Sequence, residues 1–238
     1  MNEINKTKSI SIWIFIVPFI ALNTCLILIT NFPGLFPNKE DLVLNTIPYI
    51  DGGTSISRTA RVFPTYLIFK PAMFLTSYLL IKYWIYNKKI ILSVQRNHKH
   101  VKKILFFGVA SAICLTLHSI FLGIKFDYDL YKLFRRVIML SFIIFEIVAF
   151  IIFEIVAQAY LVITLYSIKK NISKFINEKY LKLKAILVSV LIFVAIVSIP
   201  LVTMPGNKFL KHALEWDYFL GVICFYMLTF FMWKNSKK

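Results

Sequence analysis

The sequence predicts an all-α fold, a polytopic membrane protein in which one integral domain, residues 1–238, forms a six-transmembrane-helix bundle with both termini cytoplasmic. Three observations lead to it. Hydrophobic residues make up 59% of the chain, with 23 Phe, and the mean hydropathy of +0.74 lies far above that of a water-soluble domain. Six apolar runs are each long enough to cross about 30 Å of hydrocarbon as a helix, which takes roughly 20 residues. Those runs are continuous where barrel strands would alternate, so backbone satisfaction in lipid selects helices.

The first run, Ser9–Thr30, follows Lys6 and Lys8 in the manner of a secretion signal. Its apolar part is too long for one, and Asn23-Thr24-Cys25 offers no small-residue cleavage site, so it is expected to remain as a span. Residues 31–61 then form the single long connection, an outer cap rich in turn formers: Pro33-Gly34, Pro37-Asn38 and Asp51-Gly52-Gly53. Val62–Tyr86, Ile104–Ile124, Val137–Ile168, Ala185–Met204 and Trp216–Trp233 are the remaining spans.

Orientation follows from the loops. The amino-terminal tail, the second and fourth loops and the carboxy-terminal tail carry 17 Lys and Arg against two acids, Glu3 and Glu178. The first, third and fifth loops carry nine against seven. Positively charged loops stay cytoplasmic, which places the odd loops outside. The net charge of +17 is thereby accounted for by topology and by attraction to anionic headgroups or a cytoplasmic protein partner. Nucleic acid is not an expected partner, since no aromatic-interleaved basic platform is present. The cysteines Cys25, Cys114 and Cys224 all fall inside spans without paired spacing, so neither a disulfide framework nor a metal site is expected, and no cofactor. The cell membrane of a bacterium and an endomembrane or plasma membrane of a eukaryote both fit this layout.

Charges inside the spans are the candidate functional groups, because an isolated lysine or glutamate in hydrocarbon is penalised by several kcal/mol and must face the bundle interior, a partner or a cavity. At 1.5 Å per residue, Lys70 lies roughly 12 Å below the outer face, Glu146 roughly 13 Å and His118 roughly 9 Å. The three are expected to converge beside Pro71, either as a buried ion pair that sets helix register or as the lining of a polar cavity. Glu154, with Gln158 a turn below, is expected to join helices through a packing network. The cap segment PYIDGGTSISRTAR contributes Asp51, Gly52, Gly53, Ser55, Ser57, Arg58 and Arg61, a set whose backbone N–H groups, hydroxyls and guanidinium groups suit phosphate oxygens, or which packs as a solvated turn over the helix ends. Glu215 and Asp217 stand at the rim.

IPYIDGGTSISR (Ile47–Arg58), FLGIKFDYDLYKLF (Phe121–Phe134) and Leu214-Glu215-Trp216, in this order and spacing, resemble the FRAG/DRAM/SFK family of six-span membrane proteins, and the likeness covers nearly the whole chain. That family includes autophagy modulators and a factor that remodels the lipid of GPI anchors. The resemblance implies work on lipids at the outer or lumenal leaflet. Three function classes therefore stand: binding or handling of a phospholipid or glycolipid headgroup in an outer cavity, a non-catalytic membrane scaffold, and a small-solute transporter with Glu146 and Glu154 as a proton relay. No serine elbow, HExxH or paired metal carboxylates support a specific hydrolase.

Overall fold

The computed structural model describes residues 2–39, 42–43, 46–123, 149–204 and 206–234, and these are helical throughout their long segments. In chain order the helices are α1 (Asn2–Asn31), α2 (Pro48–Asp51), α3 (Ile56–Ala60), α4 (Tyr66–Val94), α5 (Val101–Phe121), α6 (Ala149–Ser167), α7 (Lys169–Ile172), α8 (Glu178–Thr203) and α9 (Lys208–Met232). Five of them, α1, α5, α6, α8 and α9, are long and apolar enough to cross a membrane. The 29-residue α4 is as long as they are, but Lys70 and Lys82 interrupt its apolar run.

Helices outrun the apolar stretches that predict them. α8 begins at Glu178 and α9 at Lys208, each about two turns before the predicted boundary of Ala185 or Trp216. Hydropathy marks the part of a helix that meets lipid, whereas hydrogen bonding and capping set where the helix starts. Asn177 caps α8 by accepting from the Lys179 N–H at 3.1 Å, so the basic residues after it belong to a helical turn.

The long helices close into a ring, α1–α4–α5–α6–α8–α9 and back to α1, each packed on the next. Gly108 of α5 permits one close approach: a Cβ there would sit 2.3 Å from the Trp84 ring of α4. Chain start and chain end share one face, because Lys8 Nζ lies 5.0 Å from the Phe230 ring centroid and the Lys234 N–H donates to the Phe175 carbonyl at 2.9 Å. The second loop reaches the same face, where His98 Nε2 pairs with Ser167 Oγ at 2.9 Å. Lys6, Lys89 and Lys103 lay their ammonium groups near tyrosine rings there, the arrangement of long cationic side chains at an apolar boundary.

Burial is directed toward the ring. Trp84, Tyr83, Trp216, Phe225 and Tyr226 are at most 1% exposed. Large apolar side chains on the outside remain open: Trp13, Ile20 and Ile27 on α1, Phe106 on α5, Ile186, Phe193 and Ile196 on α8. In water so much exposed aliphatic surface would aggregate; in a bilayer it is the solvated surface.

Candidate functional site

Inside the ring lies a narrow cavity of about 70 Å³. Its wall is aliphatic and aromatic: Ile14 and Pro18 from α1, Phe69, Met73 and Leu80 from α4, Leu115 from α5, and Phe219, Val222 and Ile223 from α9. The polar groups in its lining are Thr76 of α4, the hydrogen-bonded pair Glu154 and Tyr226, and Glu215 and His118. An engineered protein cavity of roughly 150 Å³ holds benzene; this one is about half that size and has no room for a bulky headgroup.

Glu154 is fully buried and its carboxylate is saturated with donors. Ser111 Oγ of α5 donates to Oε2 at 2.5 Å, Gln158 Nε2 donates to Oε1 at 3.2 Å, and the Tyr226 hydroxyl of α9 donates to Oε1 as well. Gln158 also donates to the Val222 carbonyl at 3.2 Å. One carboxylate thus joins three helices of the ring.

Sequence reasoning missed the residue at the other end of this polar seam. Lys184, counted among the basic residues of the fourth loop, is fully buried on α8. Its Nζ donates to Thr229 Oγ1 at 2.7 Å and sits 3.8 Å from the centroid of the Phe225 ring. Thr229 in turn pairs with the Tyr83 hydroxyl at 3.2 Å, and the Tyr83 ring packs edge-on against Tyr226. A signal was present: Leu181, Lys184, Val188 and Leu191 follow helical spacing, and all four are buried.

The cap segment docks on the start of α9. Asp51 is exposed and accepts from Thr46 Oγ1 at 2.6 Å, the Ile47 N–H at 2.8 Å and the Gly53 N–H at 2.8 Å. These donors, Thr46 first, hold its carboxyl below the usual carboxylate range. Gly52, with φ of 62°, touches the Phe209 backbone so closely that a Cβ would fall 1.8 Å from its carbonyl oxygen. The Gly52 carbonyl pairs with His212 Nδ1 at 2.9 Å, and the Trp216 indole N–H donates to the Thr54 carbonyl at 2.9 Å. Ser55 caps α3 by accepting from the Arg58 N–H at 3.2 Å and lies 3.2 Å from the Ser57 hydroxyl. The two stretches IPYIDGGTSISR and LEW therefore fold against each other.

Glu215 completes that junction. Its carboxylate lies against the backbone N–H groups of Ile56 and Ser57, while Oε1 is sealed from solvent with no hydrogen-bond partner among the described residues. Asp217, two residues on, is exposed. Arg61 is exposed and its carbonyl abuts Gly123 at the end of α5; Arg58 is half-buried on α3.

Lys70 and His118 do not converge as expected. Lys70 Nζ donates to the Ile120 carbonyl at 3.3 Å in an exposed setting and lies 5.8 Å from the Tyr66 ring; it is Phe69, its neighbour, that points into the cavity. The long lysine stem carries its charge away from the bundle and along α5. His118 lines the cavity, as Glu215 does. Glu146, the expected partner of Lys70, lies outside the described residues, as do Glu40, Asp41 and all of 124–148.

Among the described residues no group of three or more His, Cys, Asp or Glu could hold a metal ion. Compared with protein-family models, with curated proteins and with solved structures, the chain matches none.

Proposed function

We propose that this chain crosses the membrane six times, α4 included, with its basic face in the cytoplasm, and that it holds a molecule of lipid class in the cavity at the centre of its helix ring. The carrying observation is the cavity itself, an apolar bore between five long helices with a carboxylate at each end. Apolar walls with a few fixed polar groups are the usual make-up of a small-molecule site. The likeness to a lipid-handling family points the same way. The part expected of Arg58 and Arg61, to hold a headgroup at the outer face, belongs to this reading as an outer rim, whereas Lys70 is turned away from the bore.

Gentle extraction followed by native mass spectrometry tests it. Wild-type protein should retain a lipid of defined mass, and Met73→Trp, which fills the bore from α4, should lose it while remaining folded. Protein that never retains a lipid overturns the reading.

A second reading, proton-coupled transport of a small solute, draws on the polar seam from Glu154 and Tyr226 through Tyr83 and Thr229 to Lys184. Interior ionisable groups of this kind mark proton paths in many membrane proteins. On this reading Glu154→Gln abolishes pH-driven uptake into vesicles.

A further inference from the structure

Resting on the cavity reading above, we infer that the occupant of the bore carries a primary amine head, seated on Glu215 at the cap end, with its aliphatic chain running toward Glu154. Cavity geometry, satisfied and unsatisfied acceptors, and charge all bear on this choice.

Consider first the acceptors. Both oxygens of Glu154 are taken up by Ser111, Gln158 and Tyr226, so that carboxylate offers the bore no open acceptor, and the unpaired Oε1 of Gln158 lies outside the lining. At the opposite end Glu215 Oε1 is buried and, among the described residues, without a partner. Among the described residues that line the cavity it is the one side-chain polar atom in that condition. Leaving a buried acceptor unpaired costs about 1–3 kcal/mol, more for a charged group. A donor delivered by a ligand relieves that cost, which makes the site specific for something that donates.

Charge and size then narrow the donor. The described lining contains two carboxylates and His118 and neither lysine nor arginine. Lys70, the nearest candidate for a counter-charge on α4, is turned outward to the Ile120 carbonyl. A phosphate at this level would face a carboxylate; an ammonium would meet one. The cavity of about 70 Å³, about half the size of one that holds benzene, leaves no room for a sugar or a phosphodiester beside Glu215, whereas a primary ammonium is a small cationic head. The N–H groups of Ile56 and Ser57 hold the carboxylate from the α3 side, so it is fixed in place before the ligand arrives.

Three probes on matched saturated chains separate the possibilities: an alkyl primary amine, the alcohol and the alkyl phosphate, each carrying bromine to quench tryptophan emission of the full-length protein in nanodiscs. Wild-type protein should bind the amine about tenfold or more tightly than the phosphate, the size expected for a charge-assisted hydrogen bond. Glu215→Gln should lower amine affinity about tenfold and leave the alcohol within about twofold. Glu215→Asp, which keeps the charge, should keep the ranking, so a glutamine variant that fails to fold does not shield the inference. Phosphate binding as tightly as amine, or an amine preference that survives in folded Glu215→Gln, overturns it while leaving the cavity reading in place. Failure of all three chains to bind wild-type protein, with Met73→Trp indistinguishable from it, overturns the cavity reading itself.

Discussion

Glu154 and Lys184 are both fully buried, yet substitution should affect them in opposite directions. Glu154 is the acceptor for three donors on three helices, so Glu154→Ala strands Ser111, Gln158 and Tyr226 at once. We expect a loss of about 3 kcal/mol or more, read as a fall in the melting temperature of the detergent-solubilised protein. Lys184 meets one hydroxyl and a ring face, which leaves most of its desolvation uncompensated. Lys184→Met keeps the volume and removes the charge, and should raise stability by about 1 kcal/mol in the same measurement. Asp51 belongs to the surface. Its folded value lies below its unfolded one, so its contribution to cap docking is complete above the ordinary carboxylate range and is lost as pH falls through the depressed folded value. Proteolysis of the cap should accordingly stay slow through mildly acidic pH and accelerate only in strong acid, whereas Asp51→Asn should remove that pH dependence.

At the scale of elements, two glycines decide which pieces touch. Gly52→Ala brings both a side chain at φ of 62° and a Cβ 1.8 Å from the Phe209 carbonyl, so the cap must lift from α9. A loss of about 2 kcal/mol or more, together with faster cap proteolysis at neutral pH, is the expected result. Gly108 works between long helices, since any side chain there meets the Trp84 ring; Gly108→Leu should separate α5 from α4 and lower extraction yield. Helix identity was legible from the apolar runs, and helix boundaries were less so. Stretches such as KYLKLKA look like loop because alternating lysines depress hydropathy, although Leu181 and Lys184 share the buried face of α8. The turn formers of the cap were legible; that Gly52 docks on α9 was not, because its partner His212 lies 160 positions away.

For the whole molecule, the ring order of the helices brings both chain ends and the basic loops to one face. If that face is cytoplasmic, a cysteine at Lys211 in a variant lacking the three native cysteines should react with an impermeant maleimide in whole cells, and one at Ser173 should not until the membrane is opened. Both positions are exposed. The reverse pattern would invert the orientation while leaving the ring unchanged.

What the sequence alone determined is the solvent and the class of fold. Composition and the length of its apolar runs require lipid and helices, because those are averages over many residues and survive any particular packing. Which charges face inward was decided only in three dimensions. Lys70, Lys184, Glu154 and Glu215 all occupy helices, and a rotation of about 100° per residue separates a side chain that escapes to the boundary from one sealed against a tyrosine. Depth follows from counting along the chain, whereas facing depends on which neighbour each helix packs against, and that neighbour is chosen by contacts remote in sequence.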